Sequence, residues 1–300
     1  MTTRINDFLL GTATAALCAM AVGCGSAAED AAPATYKIEF QGMVGDQPFS
    51  CEGEFGDIGT GKTKIKPLDF RFWIHDVKLV RANGESVPLA LKEDQPTSTI
   101  RDDGAWQKDN VALIDMENAT GSCTGSPETR THIVGTAPQH DDYTGLQFTV
   151  GVPRGHNNVN APLAEYPFGA PGMSWQWKGG YRFVRVDVST VTKPKYYFHL
   201  GSTACEGDPV DSTGEQGGIN CAVENIAPIA LDGFNPATDK VTVDIATLYT
   251  GLDVDSATDK NYACMSGGTT NTMCPSMFGA LGLTYGSSLQ PAAQSFFRVR

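Results

Sequence analysis

The chain has 300 residues, with 22 Lys and Arg against 34 Asp and Glu, which gives a formal net charge of -12 at pH 7. This acidic surplus argues against nucleic acid as a partner, because phosphate binding depends on Lys and Arg. Beyond an N-terminal leader, no apolar segment is long enough to cross a membrane as a helix.

Residues 1–23 are typical of a lipoprotein signal peptide. The apolar run Phe8–Val22 is too short for a mature membrane helix. It ends in Ala-Val-Gly-Cys, which resembles a bacterial lipobox and predicts Cys24 as the lipidated residue. The alternative is ordinary cleavage near Ala27 or Ala28. Both interpretations predict export, and the first predicts a lipid-anchored protein of the periplasm or outer membrane.

The leader is followed by a predicted tether and then one large domain. Residues 24–35 are small, acidic and rich in Ala and Pro, a composition typical of flexible linkers. Residues 36–300 are then enough for one large all-β domain or two small ones, and we expect one.

Alternating apolar and polar residues predict a series of β-strands in this domain. The predicted strands begin at Tyr36 and continue with Leu68–Val80, Leu146–Val152, Arg182–Val188, Lys195–Leu200, Val241–Ile245 and Ser295–Arg300. Short helices are predicted only at Ala161–Tyr166 and Met277–Leu283. Together with 33 Gly and 17 Pro, this pattern predicts an all-β fold, a β-sandwich with long disulfide-pinned loops and a few short helices.

Six cysteines lie in the predicted domain, and their even number in an exported chain favours disulfides. Short loop closures favour three pairs, namely Cys51 with Cys123, Cys205 with Cys221, and Cys264 with Cys274. Metal ligation by thiolates is the alternative, but it lacks a CxxC spacing.

The stretch Phe70–Val80, FRFWIHDVKLV, places two unusual side chains on one face of a strand. Side chains of a strand alternate between faces, so Trp73 and His75 point the same way, opposite Phe72. His199 lies likewise on the face opposite the main apolar run of its own strand. These residues form either a site or an ordinary packed second layer, and the pattern alone leaves both open.

Other candidate ligands have simpler explanations. His156 lies in a loop, where ligation competes with loop ordering and plain exposure, and His132 fits an exposed position. His140 precedes Asp141 and Asp142, so it belongs either to a hard-cation site or to an exposed acidic turn. Met265, Met273 and Met277 flank two cysteines; thioethers suit Cu(I), but Met is mostly a core filler. Sequence motifs of hydrolases, such as GxSxG and HExxH, are missing.

Two further segments, Met173–Phe183 (MSWQWKGGYRF) and Phe198–Cys205 (FHLGSTAC), point to a family. With the Phe72–Leu79 strand and the Gly151–Asn158 loop, they resemble the MbnP-like family, also described as metallo-mystery-pair proteins with a four-Cys motif. The resemblance runs from about Tyr36 to the C-terminus.

The resemblance implies an exported copper-binding β protein that acts with a di-haem cytochrome c peroxidase-like enzyme of the MauG type. In such proteins one tryptophan is oxidised to kynurenine, which binds copper together with two histidines. The W-x-H pattern assigns these roles to Trp73 and His75, and the FHLGS segment assigns the second imidazole to His199. Trp175 and Trp177 are then either packing residues or intermediate sites for electron transfer during the oxidation of Trp73.

We therefore expect a copper-binding lipoprotein that is not itself an enzyme and whose Trp73 becomes kynurenine. The alternative is a metal-free cell-surface β-sandwich that binds a protein or a glycan. A third hypothesis, a hydrolase without a recognisable motif, has no specific residue to support it.

Overall fold

A computed structural model describes residues 31–93, 106–207, 219–255, 263–267, 271–286 and 293–300. For Trp177 and Ala263 it describes the backbone only. The predicted signal peptide and the lipidation candidate Cys24 lie outside these residues. Within them, no helix is long and apolar enough to cross a membrane.

The described residues are mostly β-strands. The strands are β1 Pro33–Val44, β2 Gln47–Pro48, β3 Phe55–Ile58, β4 Thr63–Arg81, β5 Ser86–Pro88, β6 Ala90–Leu91, β7 Gln107–Lys108, β8 Val111–Asp115, β9 His132–Pro138, β10 Tyr143–Val150, β11 Val184–Thr190, β12 Tyr196–Leu200, β13 Thr203–Glu206, β14 Asn220–Val223, β15 Ala227–Asp232, β16 Lys240–Asp244, β17 Ala263–Met265 and β18 Phe297–Val299. The helices are α1 Arg154–Asn157 and α2 Cys274–Ala280, with 3-10 turns at Ala161–Leu163, Trp177–Gly179 and Ile245–Tyr249.

Two sheets face each other across an aromatic core, which confirms the predicted sandwich-like all-β fold. One sheet has the order β18-β16-β1-β9-β6, and the other is built on β15-β10-β4-β11-β12-β17. Phe40 of the first sheet packs 5.8 Å from Phe72 and 5.9 Å from Phe148 of the second, measured between ring centroids. Phe297 packs 5.5 Å from Phe72 and 5.1 Å from Phe148. Edge-on aromatic pairs of this kind add to the stabilisation that comes from burial.

The long strand β4 organises the larger sheet, because it pairs with several neighbours along its length. It pairs with β11 through Phe72 and Val184, and with β8 through Trp73 and Leu113. Further along, its pairing with β10 includes His75 and Thr149. The strand therefore carries Trp73 and His75 into the region where β10 ends and β11 begins.

Three disulfides join the predicted pairs of cysteines: Cys51–Cys123, Cys205–Cys221 and Cys264–Cys274. The first links residues 72 positions apart, whereas the other two close short loops of 16 and 10 positions. The thiolate alternative is not needed for these six residues.

Some predicted boundaries differ from the structure. Strand β1 begins at Pro33, inside the predicted tether, because Pro33–Glu39 pairs with β9. Of the helix predicted at Ala161–Tyr166, only a 3-10 turn at Ala161–Leu163 forms, and α2 begins at Cys274 rather than Met277. The short helix α1 was not predicted, because four residues carry no helical periodicity.

Candidate functional site

Trp73 is fully buried in the hydrophobic core, on the face of β4 opposite Phe72. Its backbone N–H donates to the Phe183 carbonyl, and its own carbonyl accepts from the Gly151 N–H, both at 2.9 Å. The indole stacks on Phe168, with ring centroids 5.7 Å apart, and meets Tyr181 edge-on at 5.2 Å. The indole Nε1–H has no hydrogen-bond partner among the described residues. A buried hydrogen-bond donor without a partner lowers the stability of the fold by about 1–3 kcal/mol, so burial of this N–H is unfavourable.

His75 lies on the same face of β4 as Trp73 and is partly buried. Its Nδ1 is 3.0 Å from the Gly151 carbonyl oxygen. Because a carbonyl only accepts, Nδ1 carries the proton and Nε2 carries the free lone pair. Burial lowers the pKa of His75, which favours the neutral ring at pH 7. A neutral imidazole oriented by a backbone carbonyl is the state in which histidines bind metals.

His156 reaches the same region from helix α1, just after β10. Its ring stacks on Phe168, with centroids 4.9 Å apart and planes at 10°. The Trp73 indole stacks on the same phenyl ring, also at 10°. The short Gly151–His156 segment thus supplies both the carbonyl that orients His75 and a second imidazole. The sequence predicts only a loop position for His156, because its contact in this region is with Phe168, which lies 12 positions further along the chain.

The structure does not bring His199 to this place. The sheet register aligns His199 with Arg185 on β11, and Arg185 with Arg71 on β4. Arg71 lies four residues before His75, so ordinary strand spacings put the His75 and His199 Cα atoms about 16 Å apart. Two imidazoles that share one ion need Cα atoms within about 13 Å, because metal–nitrogen bonds are near 2 Å. The predicted convergence of His75 and His199 is therefore not found.

His199 belongs instead to a buried polar cluster on the same face of the sheet. Its Nε2–H donates to Asp187 Oδ1 at 2.7 Å, and Nδ1 has no partner among the described residues. Asp187 also accepts from Arg185, which lies 3.0 Å from Asp69, and Asp69 accepts two hydrogen bonds from Arg71. The negative charges of these two carboxylates therefore equal the positive charges of the two guanidinium groups.

Comparison with known proteins places the chain in a family. The sequence model of the MbnP family matches residues 33–266. The chain belongs to the MbnP family. A solved structure, MbnP from Methylosinus trichosporium, is 28% identical and matches with a TM-score of 0.73, over 89% of this chain and 98% of that one. Comparison with curated proteins gives no match.

The other tryptophans of this MbnP-family chain have packing contacts. Trp175 lies 6.4 Å from the His199 ring and is covered by the Arg182 guanidinium at 4.9 Å. Trp106 is buried and meets Tyr166 edge-on. The side chain of Trp177 lies outside the described residues.

The structure also describes the other histidines and methionines that the sequence offers as possible metal ligands. His140 packs edge-on against Tyr143, the first residue of β10. Met273 and Met277 are buried in the core, whereas Met265 is 40% exposed. His132 lies at the start of β9, paired with Glu39 of β1.

The two buried histidines of this MbnP-family chain make its stability depend on pH. Burial lowers the pKa of both His75 and His199, so the unfolded chain binds these protons more tightly than the folded one. The free energy of unfolding should then fall as the pH drops below about 6.5, the usual histidine pKa. Urea titrations between pH 7.5 and 5.5 on the wild type and His75→Gln isolate the share of His75. We expect the wild type to lose more stability on acidification than the variant, and equal losses would contradict the assignment.

Proposed function

We propose that this protein is an exported copper-binding protein whose Trp73 is oxidised to kynurenine by a di-haem peroxidase-like enzyme of the MauG type. The association of the MbnP family with copper supports this proposal. The observation that carries it is the shared face of Trp73 and His75: within the described ranges the indole N–H has no hydrogen-bond partner, and the bond from Nδ1 of His75 to Gly151 leaves the lone pair on Nε2. The protein has no catalytic role of its own in this proposal.

The donor set fits copper only after the indole is modified. An intact indole is a hydrogen-bond donor with no in-plane lone pair, so it cannot be a ligand. Oxidative opening of its five-membered ring yields an aryl amine, whose nitrogen can bind a metal. Neutral imidazoles suit copper as co-ligands, and the Gly151 carbonyl keeps His75 in the required tautomer.

We assign the second imidazole to His156 rather than to His199. His156 and Trp73 contact the same phenyl ring, that of Phe168, whereas the register of the sheet separates His199 from His75. Because Phe168 covers the indole, the segment that carries it has to shift before an ion can contact both groups.

The modification needs an oxidant, because opening the indole ring removes four electrons from it. Two equivalents of peroxide open the indole ring to N-formylkynurenine with release of two waters. Hydrolysis then releases formate, so kynurenine has gained one oxygen atom and lost one carbon atom in net terms. We propose that the di-haem partner, supplied with peroxide, accepts the electrons that the indole loses. The buried position of Trp73 means that these electrons leave through adjacent side chains or after the covering segment opens.

The test is the intact mass of the protein after co-production with the haem enzyme. We expect a gain of one oxygen and loss of one carbon, mapped by peptide analysis to Trp73 and missing in Trp73→Phe. A change on Trp106, Trp175 or Trp177 would contradict the assignment. Copper analysis of the same samples discriminates the metal-free alternative, which binds a protein or glycan, since that alternative predicts no stoichiometric copper.

The same mass spectrum tests export and anchoring. We propose that Cys24 becomes the lipidated N-terminal residue of a periplasmic or outer-membrane protein. Three disulfides support an oxidising compartment. A lipid mass on an N-terminal peptide that starts at Cys24 is expected, and an unlipidated peptide that starts near Ala27 or Ala28 would replace this proposal with ordinary cleavage.

A further inference from the structure

The unused nitrogen of His199 has no explanation in the site around Trp73. The ring is 5% exposed, and its Nε2–H is fixed on Asp187. The other nitrogen, Nδ1, then carries a lone pair, and it is buried without a partner among the described residues. A histidine whose one nitrogen donates to a carboxylate while the other keeps a free lone pair has the arrangement seen at metal ligands.

Met265 lies directly beside this imidazole. Strand β17 runs parallel to β12, with Met265 aligned to His199 and Cys264 aligned to Phe198. Phe198 and Cys264 are fully buried, so alternation places His199 and Met265 together on the opposite face of the sheet. Met265 is nevertheless 40% exposed, which is unusual for a large apolar side chain in the described part of this protein.

An aromatic ring completes the group. The Trp175 ring lies 6.4 Å from the His199 ring, with the planes at 61°. Trp175 and Met265 line one open cavity of about 460 Å³, together with Lys178, Ser202 and Ser266. The backbone of Ser266 also donates to the His199 carbonyl, so the cavity wall is tied to the histidine strand.

We propose that His199 Nδ1 and the Met265 thioether bind one soft monovalent metal ion, Cu(I) or its analogue Ag(I), beside the indole of Trp175. Imidazole and thioether are ligands that Cu(I) accepts, and thioethers select against hard cations. The indole contributes an attractive π-face to a nearby cation. The Arg182 guanidinium already covers one face of the indole, 4.9 Å from its centroid, so the ion needs the other face. Asp187 is the positioning residue that holds the ring.

This second site is separate from the site around Trp73, because it shares no residue with Trp73, His75 and His156. It therefore needs neither the haem enzyme nor kynurenine. If the proposed function fails, the site beside Trp175 can still be present, and the converse also holds.

The experiment is an Ag(I) titration of the full chain produced without the haem enzyme, on a His75→Ala background. Ag(I) needs no reductant, so the three disulfides stay intact and expose no competing thiolates. We expect one equivalent to bind in chloride-free buffer and to quench tryptophan fluorescence. Met265→Leu keeps the volume and apolar character of an exposed side chain and should weaken binding by at least about tenfold. His199→Gln should do the same.

Matched controls make the result decisive. Leu163→Ala changes another exposed apolar residue and should leave Ag(I) binding unaltered, and Trp175→Phe should abolish the fluorescence change while keeping most of the affinity. Circular dichroism on each variant confirms that the fold is intact. Absence of binding on the His75→Ala background, or equal affinity in Met265→Leu and its parent, would overturn the proposal.

Discussion

Replacement of His75 by Ala should lower the copper affinity of the kynurenine-containing protein by at least about 100-fold. Loss of a residue that merely orients a metal ligand typically costs 10–100-fold in affinity, so loss of the ligand itself costs more. His75 is the best-defined ligand candidate, because the Gly151 carbonyl fixes its tautomer and burial keeps it neutral. Competition with a copper chelator of known affinity measures the change.

The same measurement compares the two candidates for the second imidazole. We expect His156→Ala to weaken copper binding at the kynurenine site about as strongly as His75→Ala. His199→Gln should leave that site intact, because His199 lies on β12, two strands away from β4. The opposite order, with His199→Gln severe and His156→Ala neutral, would show that His199 is the second ligand. Urea unfolding of each variant separates a lost ligand from a lost fold.

Much of the fold could be predicted because its causes are local. Alternation along β4 shows that Trp73 and His75 share a face, and the regular pairing of both residues with β8 keeps them on that face in the structure. The cysteine pairs also follow from chain distance for the two short loops, which leaves Cys51 and Cys123 for each other.

The site could be predicted only in part, because its second half depends on tertiary contacts. Alternation says that His199 faces away from the core, but it gives no strand order, and the strand order is what separates His199 from His75. Likewise, the approach of His156 to Trp73 is made by Phe168, which belongs to a loop without periodicity. The one sequence feature that relates His156 to β4 is its position directly after β10, a strand that pairs with β4.

The buried charge cluster gives the second large effect, which concerns stability. Arg71 is 1% exposed and donates two hydrogen bonds to Asp69 and one to the Pro171 carbonyl. Its replacement by Met keeps much of the volume but leaves Asp69 with Arg185 as its only described cationic partner. Breaking a buried ion pair typically costs about 3–5 kcal/mol, since the remaining charge is uncompensated. We therefore expect Arg71→Met to lower the free energy of unfolding in urea by that amount.

A matched surface variant shows why burial decides the size of the effect. Lys64 is exposed and pairs with Glu54 at 3.0 Å, so Lys64→Met should change stability by less than about 1 kcal/mol. Asp115 lies beside the cluster, and burial raises its pKa to about 9, so it stays neutral at pH 7 and adds no negative charge to the cluster. Because Asp69 and Asp187 share Arg185, the loss of Arg71 should also loosen the bond that holds His199. The NMR signals of the His199 ring should therefore shift in Arg71→Met and stay in place in Lys64→Met. If urea unfolding gives the two variants equal stability, the buried cluster contributes no more to stability than a surface ion pair does.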